Sequence, residues 1–319
     1  MNFPVCKDKR TKQLLCRLVV ALIALISEYC NGSAVKALYV GSDFYAPNDS
    51  TQNAARASGF TRLFLSFFHI DAHGDVTFNN TPVVRNGIYV GDPSWNTRLG
   101  ALEAPPAGIN RLELVIGDGP EIEATRGETS FANIRKLIAS QGTGPTSVLY
   151  KDFQVLKTAT GADAIQLMDE HSYDAPSTLA LSKMIAALGM KVTICTYSNR
   201  DFWVKLKSQL GANLDAIYLM CYGDGASCDP GPWTQTFGSF TIYPGLWGNT
   251  DTATSTMMKM RNWRRTLGIT GGFMWLNGFL PSDAGRWAGT LAYGLDPIAS
   301  LRIVNKGSGK SLNLIYGSL

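Results

Sequence analysis

Histidine, one-sided charge and long apolar runs are all scarce in this chain, and each scarcity removes a class of function. Three histidines occur in 319 residues, His69, His73 and His171. None stands at ligand spacing from a cysteine, so no metal site is expected, and no cofactor either. The formal net charge is +4, but Lys7, Lys9, Arg10, Lys12 and Arg17 outweigh Asp8 and Glu28 before residue 34, and the remainder is close to neutral. That leaves no basic patch or stripe of the kind a nucleic-acid partner needs. Low-complexity tracts and internal repeats are absent as well, and with 45% hydrophobic residues disorder and coiled coil are excluded.

The apolar run "LVVALIALI", Leu18 to Ile26, is nine residues long, against the roughly 20 that a membrane span requires. It follows a basic stretch and precedes "EYCNGSAVKA", which is polar with small residues. That order is the one found in secretory signal peptides, with cleavage after Ala34 or Ala37. The expectation is a signal over residues 1–34, a secreted protein, and no membrane association after cleavage. Of six cysteines, Cys6, Cys16 and Cys30 would leave with the signal. Cys195, Cys221 and Cys228 remain, so at most one internal disulfide can form. Two readings stand side by side: a Cys221–Cys228 bridge across a short Gly-rich loop, or three buried thiols.

Short β-rich runs alternate with helical patterning along the rest of the chain. The runs cover residues 36–45, 62–70, 111–119, 162–170, 191–197, 216–224, 239–247 and 271–279, and several are almost continuously hydrophobic, as strands buried on both faces are. Helical periodicity is plain over residues 129–140, 177–189, 201–211 and 254–268. Eight such βα units predict an α/β fold of one domain, a (β/α)₈ barrel over residues 35–300, expected to be a monomer. Residues 71–110 break the rhythm with turn-rich sequence. They are read as a long excursion after the second strand, containing a small hairpin.

In such barrels reactive groups project from the C-terminal ends of the strands. Those ends carry Asp43, Phe44 and Tyr45, then Phe68, Asp118, Glu170, Tyr197, Tyr222, Asp224, Trp247 and Trp275. Aromatic faces can stack on sugar rings, and carboxylates and Tyr hydroxyls can bond ring hydroxyls, so the expected partner is a carbohydrate. In "ADAIQLMDE" the period of two puts Gln166, Met168 and Glu170 on one face and Asp169 on the other. Glu170 then stands at the mouth above apolar groups, which suits a general acid.

Five of these stretches, in order, resemble glycoside hydrolase family 18, the chitinase and endo-N-acetylglucosaminidase family. "FTRLFLSFFHIDAHGDV" is similar to that family's second strand and "LELVIGDG" to its Ser-x-Gly-Gly third strand. "DAIQLMDE" falls on Asp-x-x-Asp-x-Asp-x-Glu, "YLMCYGD" on Met-x-Tyr-Asp, and "GGFMWLNGF" on the eighth strand with its floor tryptophan. The resemblance implies Asp163 as the first acidic position and Glu170 as the catalytic acid. It implies Tyr222 as a holder of the substrate's acetamido group and Trp275 as the surface beneath the sugar. Tyr197, Trp247, Phe44 and Asp118 are further candidates for substrate binding, and Asp224 for a second catalytic carboxylate. The chain departs from the pattern at Gln166 and Met168, which replace the two inner Asp residues, at Gly223, and at Asp118. The family uses the substrate's acetamido oxygen as nucleophile, and Met168 cannot position or charge-stabilise that group. Two functions therefore stay open: a glycosidase acting on N-acetylglucosamine-containing glycans, and a catalytically silent, lectin-like barrel. Residues 301–319 resemble the opening of a ricin-type lectin module, or else form an added strand or tail.

Overall fold

The computed structural model describes residues 34–47, 49–117, 129–276 and 281–296. The expected signal, Asp118 and the C-terminal tail lie outside the described residues. Eight parallel strands close on themselves: β1 (Val35–Val40), β2 (Arg62–Ile70), β6 (Leu112–Ile116), β7 (Ala164–Leu167), β8 (Lys191–Thr196), β9 (Leu214–Met220), β10 (Ile242–Trp247) and β11 (Gly271–Trp275). Closure is the pairing of β1 with β11 on one side, Val35 beside Gly271, and with β2 on the other, Ala37 beside Arg62. The architecture is a single (β/α)₈ barrel, and every barrel strand overlaps one of the eight apolar runs.

Helices follow the strands on the outside. They are α1 (Asp49–Ala57), α2 (Trp95–Glu103), α3 (Ser130–Gln141), α4 (Val148–Thr160), α5 (Ala175–Ala187), α6 (Arg200–Leu210), α7 (Pro230–Phe237), α8 (Ala253–Leu267) and α9 (Pro281–Leu295). Several of their starts are set by side-chain caps that satisfy orphan backbone N–H groups. Thr129 accepts from the Ala132 N–H, Asp174 from Ser177 and Thr252 from Ser255. The excursion after β2 is a three-stranded antiparallel unit, β3 (Val76–Phe78), β4 (Thr81–Arg85) and β5 (Ile88–Tyr89), joined to the barrel through β2. It is larger than the single hairpin expected, and α2 follows it. Its core is aromatic: Phe78 packs on Phe68 at 4.9 Å and on Trp95 at 5.3 Å between ring centroids.

The barrel interior is filled by alternate residues of the strands, including Tyr39, Phe64, Met168, Cys195, Tyr218 and Phe273. Gly245 leaves room for the Phe273 ring, since a Cβ there would come within 2.1 Å of it. Toward the N-terminal end, buried Glu113 accepts from Tyr218 Oη at 2.9 Å and Thr193 Oγ1 at 2.6 Å, and pairs with Arg111 at 2.8 Å. A buried carboxylate persists only when compensated in this way. Among the described residues, no helix is long and apolar enough to cross a membrane.

Candidate functional site at the C-terminal mouth

Strand β7 delivers the acidic segment to the mouth. Gln166 is fully buried and its Oε1 accepts a hydrogen bond from the Tyr39 hydroxyl across the lumen, while its Nε2 has no partner. Met168, 5% exposed, belongs to the same interior cluster. Asp169 lies two residues past the end of β7, and its carboxylate accepts from the backbone N–H groups of His171, Ser172 and Tyr173 at 3.1, 2.7 and 2.8 Å. Burial raises its pKa, and those three bonds act against the rise. Asp169 thereby shapes the loop that presents Glu170, which is half-buried at the rim.

The neighbours of Glu170 are tyrosines. Burial holds the Tyr222 hydroxyl well above the usual phenol range, and the charges of Cys195 and Glu170 add to the shift. The Tyr222 hydroxyl is buried without a hydrogen-bond partner. Tyr197 is raised by burial first, then by Glu170 and Asp224 together. Asp224 is exposed in the short turn after β9. Gly225 permits that turn to lie against the barrel: a Cβ there would meet the Met220 carbonyl oxygen at 2.2 Å and Tyr197 Cβ at 2.7 Å.

Trp275 ends β11 and forms an aromatic floor with its neighbours. Its ring centroid lies 4.7 Å from Tyr39, 5.6 Å from Phe67 and 6.3 Å from Tyr222. Trp247 stands 6.4 Å from Tyr222. Glu170, Tyr197, Tyr222, Asp224, Trp247 and Trp275 thus share the C-terminal face. Asp163 sits at the start of β7, where its carboxylate accepts the Leu112 N–H at 2.9 Å, and it plays no part at this mouth.

Three expectations need correcting. Phe44 is 1% exposed and its carbonyl accepts from Trp95 Nε1 at 3.0 Å, so it packs in the core and has no face to offer a sugar. Phe68 is likewise buried, against Phe78 and Trp95. The register of β2 against β6 shifts between Ser66 and Phe68, and Phe67 packs on the interior cluster in its place. A one-residue irregularity exchanges the faces of a strand. Cys221 and Cys228 are thiols, as is Cys195. They stand within hydrogen-bonding reach of each other, which raises Cys221 and lowers Cys228.

Sequence reasoning missed Tyr39 and Phe67. Alternation along β1 could have found Tyr39, but Phe67 follows from the β2 irregularity and had no local signal. Among the described residues, no group of three or more His, Cys, Asp or Glu side chains could hold a metal ion.

No family model matches the sequence, and no curated protein matches it. Solved structures do. A fungal endo-β-N-acetylglucosaminidase from glycosyl hydrolase family 18 superposes with a TM-score of 0.63 at 16% identity, over 82% of this chain and 98% of that one. This is the family 18 barrel fold. A putative chitinase A from Streptomyces coelicolor follows at 0.57 and 12% identity, over 82% and 98% of the two chains. A family 18 chitinase from Cycas revoluta, solved with allosamidin, matches at 0.56 and 11%, over 82% and 100%. At these identities the likeness to family 18 is one of fold, and function has to be argued from the site.

Proposed function

We propose that this protein is a secreted glycosidase acting on N-acetylglucosamine-containing glycans, with Glu170 as the general acid. The observation that carries the reading is the grouping of Glu170, Tyr222 and Trp275 at one mouth: a carboxyl group, a buried phenol without a partner, and an aromatic floor. The sugar ring stacks on Trp275. The Tyr222 hydroxyl donates to the substrate's acetamido carbonyl oxygen, and Glu170 protonates the departing glycosidic oxygen. Asp224, exposed in the turn after β9, is the carboxylate that assists the incoming water. A crystal structure of a Cycas revoluta chitinase mutant with (GlcNAc)₄ supports a carbohydrate ligand for this kind of barrel.

Met168 favours a second reading. Its thioether is buried where the family pattern has the Asp that orients the acetamido group, and it supplies no charge for an oxazolinium-like intermediate. A binding-only barrel would retain Trp275 and Tyr222 and lose turnover. The deciding experiment incubates the purified protein and its Glu170→Gln variant with chitin oligomers and N-glycan cores, following cleavage by mass spectrometry and binding by calorimetry. Cleavage lost in Glu170→Gln supports the glycosidase. Binding without cleavage by either protein supports the silent barrel, and neither binding nor cleavage sinks both.

A further inference from the structure

Strand β5 is the last strand of the sheet and, among the described residues, pairs with β4 alone. The Val90 N–H donates to the Val83 carbonyl at 3.0 Å, so the alternation of an antiparallel pair turns the Tyr89 N–H and C=O away from β4. An edge of this kind is a template for another strand, and proteins blunt it with charge, proline or a covering segment. Here the flanking side chains are apolar. Of the four large hydrophobic side chains that stand exposed among the described residues, two are Ile88, at 64%, and Val90, at 45%. Tyr89, between them, takes the opposite face of the strand. It lines a surface groove of about 580 Å³ together with Pro93 and Asn96, and with Val155, Thr158 and Ala159 of α4.

The chain holds a segment with the matching pattern. Residues 297–319 lie outside the described part, and within them "LNLIY", Leu312 to Tyr316, is an apolar run of strand-forming residues. As a strand it would put Leu312, Leu314 and Tyr316 on one face and Asn313 and Ile315 on the other. That suits an edge with an apolar groove on one face and Ile88 and Val90 on the other. The segment can also reach. It follows α9, which packs on α1, α1 packs on α2, α2 on α4, and α4 on β5. Four such steps of roughly 10 Å span about 40 Å. The 15 residues from 297 to 311 extend to about 50 Å. Being tethered, the segment meets the edge at a roughly millimolar effective concentration, which a second copy of the chain in dilute solution does not reach.

We propose that residues 312–316 add as a strand to the free edge of β5, with Leu314 in the groove beside Tyr89 and Ile315 against Ile88. The excursion then carries a fourth strand. The addition braces from outside the unit whose Asn79 Oδ1 accepts the Phe67 N–H at the mouth. The inference stands apart from the glycan reading and holds whether or not the barrel cleaves a sugar.

The test is hydrogen exchange read by mass spectrometry on the full chain, with Leu314→Asp and Ile88→Asp as comparisons and a thermal melt of each to confirm the folded barrel. Ile88 is exposed, so a charge there leaves the barrel core intact. The amides of residue 89 and of residues 312–316 should exchange roughly tenfold or more slowly in the native chain than in either variant, at every protein concentration. Unprotected amides over residues 312–316 in the native chain would overturn the proposal. So would protection at residue 89 that fades on dilution and is indifferent to Leu314→Asp, which would give the edge to a second copy. Protection of residues 312–316 that survives Ile88→Asp would place the segment elsewhere and overturn the docking site as well.

Discussion

The Tyr39 hydroxyl, on the first barrel strand, donates a hydrogen bond to the Gln166 carboxamide oxygen on the fourth. A neutral pair thus occupies a level of the lumen where the family 18 pattern has an acidic residue. Removing the donor leaves a buried carbonyl oxygen unsatisfied, which costs about 1–3 kcal/mol. Tyr39→Phe should therefore lower the urea midpoint with an unchanged m-value. An unchanged midpoint would mean that the contact contributes nothing to stability.

Glu170→Gln keeps size and hydrogen bonding but removes the proton that the leaving oxygen needs. General acid catalysis contributes roughly 10²–10⁴-fold, so turnover should fall by about that factor while glycan affinity survives. Full activity in the variant would move the acid elsewhere.

Met168→Asp places a carboxylate two residues before Glu170, where the family pattern has one. In a substrate-assisted scheme it should raise the rate on acetamido sugars. The site is 5% exposed and packs beside Gly117 and the interior cluster, so a loss of thermal stability should accompany the gain. A folded variant with no faster cleavage would show that charge at this level is not what limits the reaction.

Asp152, on α4, is held up at a pKa of about 6 by burial, although its carboxylate accepts the Gly87 N–H. The folded value lies above the unfolded one. Its contribution is therefore most favourable at low pH and is lost as pH rises through about 4 to 6. Asp152→Asn keeps an acceptor for Gly87 without a charge. It should stabilise the protein at pH 7 by roughly 1–2 kcal/mol, discounted for solvent screening, and change little at pH 4. Thermal melts of both proteins across that range measure it, and a parallel offset at every pH would contradict the assignment.

Cys228 is partly exposed, and the Cys221 thiol and Trp233 beside it lower its pKa. Limited iodoacetamide should label it ahead of the buried Cys195 and Cys221. Peptide mapping that finds Cys195 labelled first would show the mouth opening more widely than this packing allows.

The eight βα repeats were legible in the residues because burial on both faces writes a strand as an apolar run, and a helix stop is written as glycine. The strand period of two reaches only to Leu167, so the loop after β7, held by Asp169, sets the place of Glu170. Helices α1, α2, α4, α7 and α9 were not singled out, since their apolar stripes are short or mixed with turn residues. Residues 71–110 declared only their irregularity, and the three-stranded order of β3, β4 and β5 depends on pairing with β2.

At the site the division falls between strand periodicity and chain closure. The sequence alone determined that Trp275 ends a strand and that Glu170 and Tyr222 follow β7 and β9 closely, although those strands stop at Leu167 and Met220, short of both residues. Which aromatic faces the mouth was decided by tertiary structure: the shift between Ser66 and Phe68 presents Phe67 and buries Phe68, and the excursion covers Phe44 with Trp95. The packing of Tyr39 against Trp275 likewise exists only once β1 pairs with β11. Residues more than two hundred positions apart become neighbours through barrel closure, and no local pattern in the chain encodes that distance.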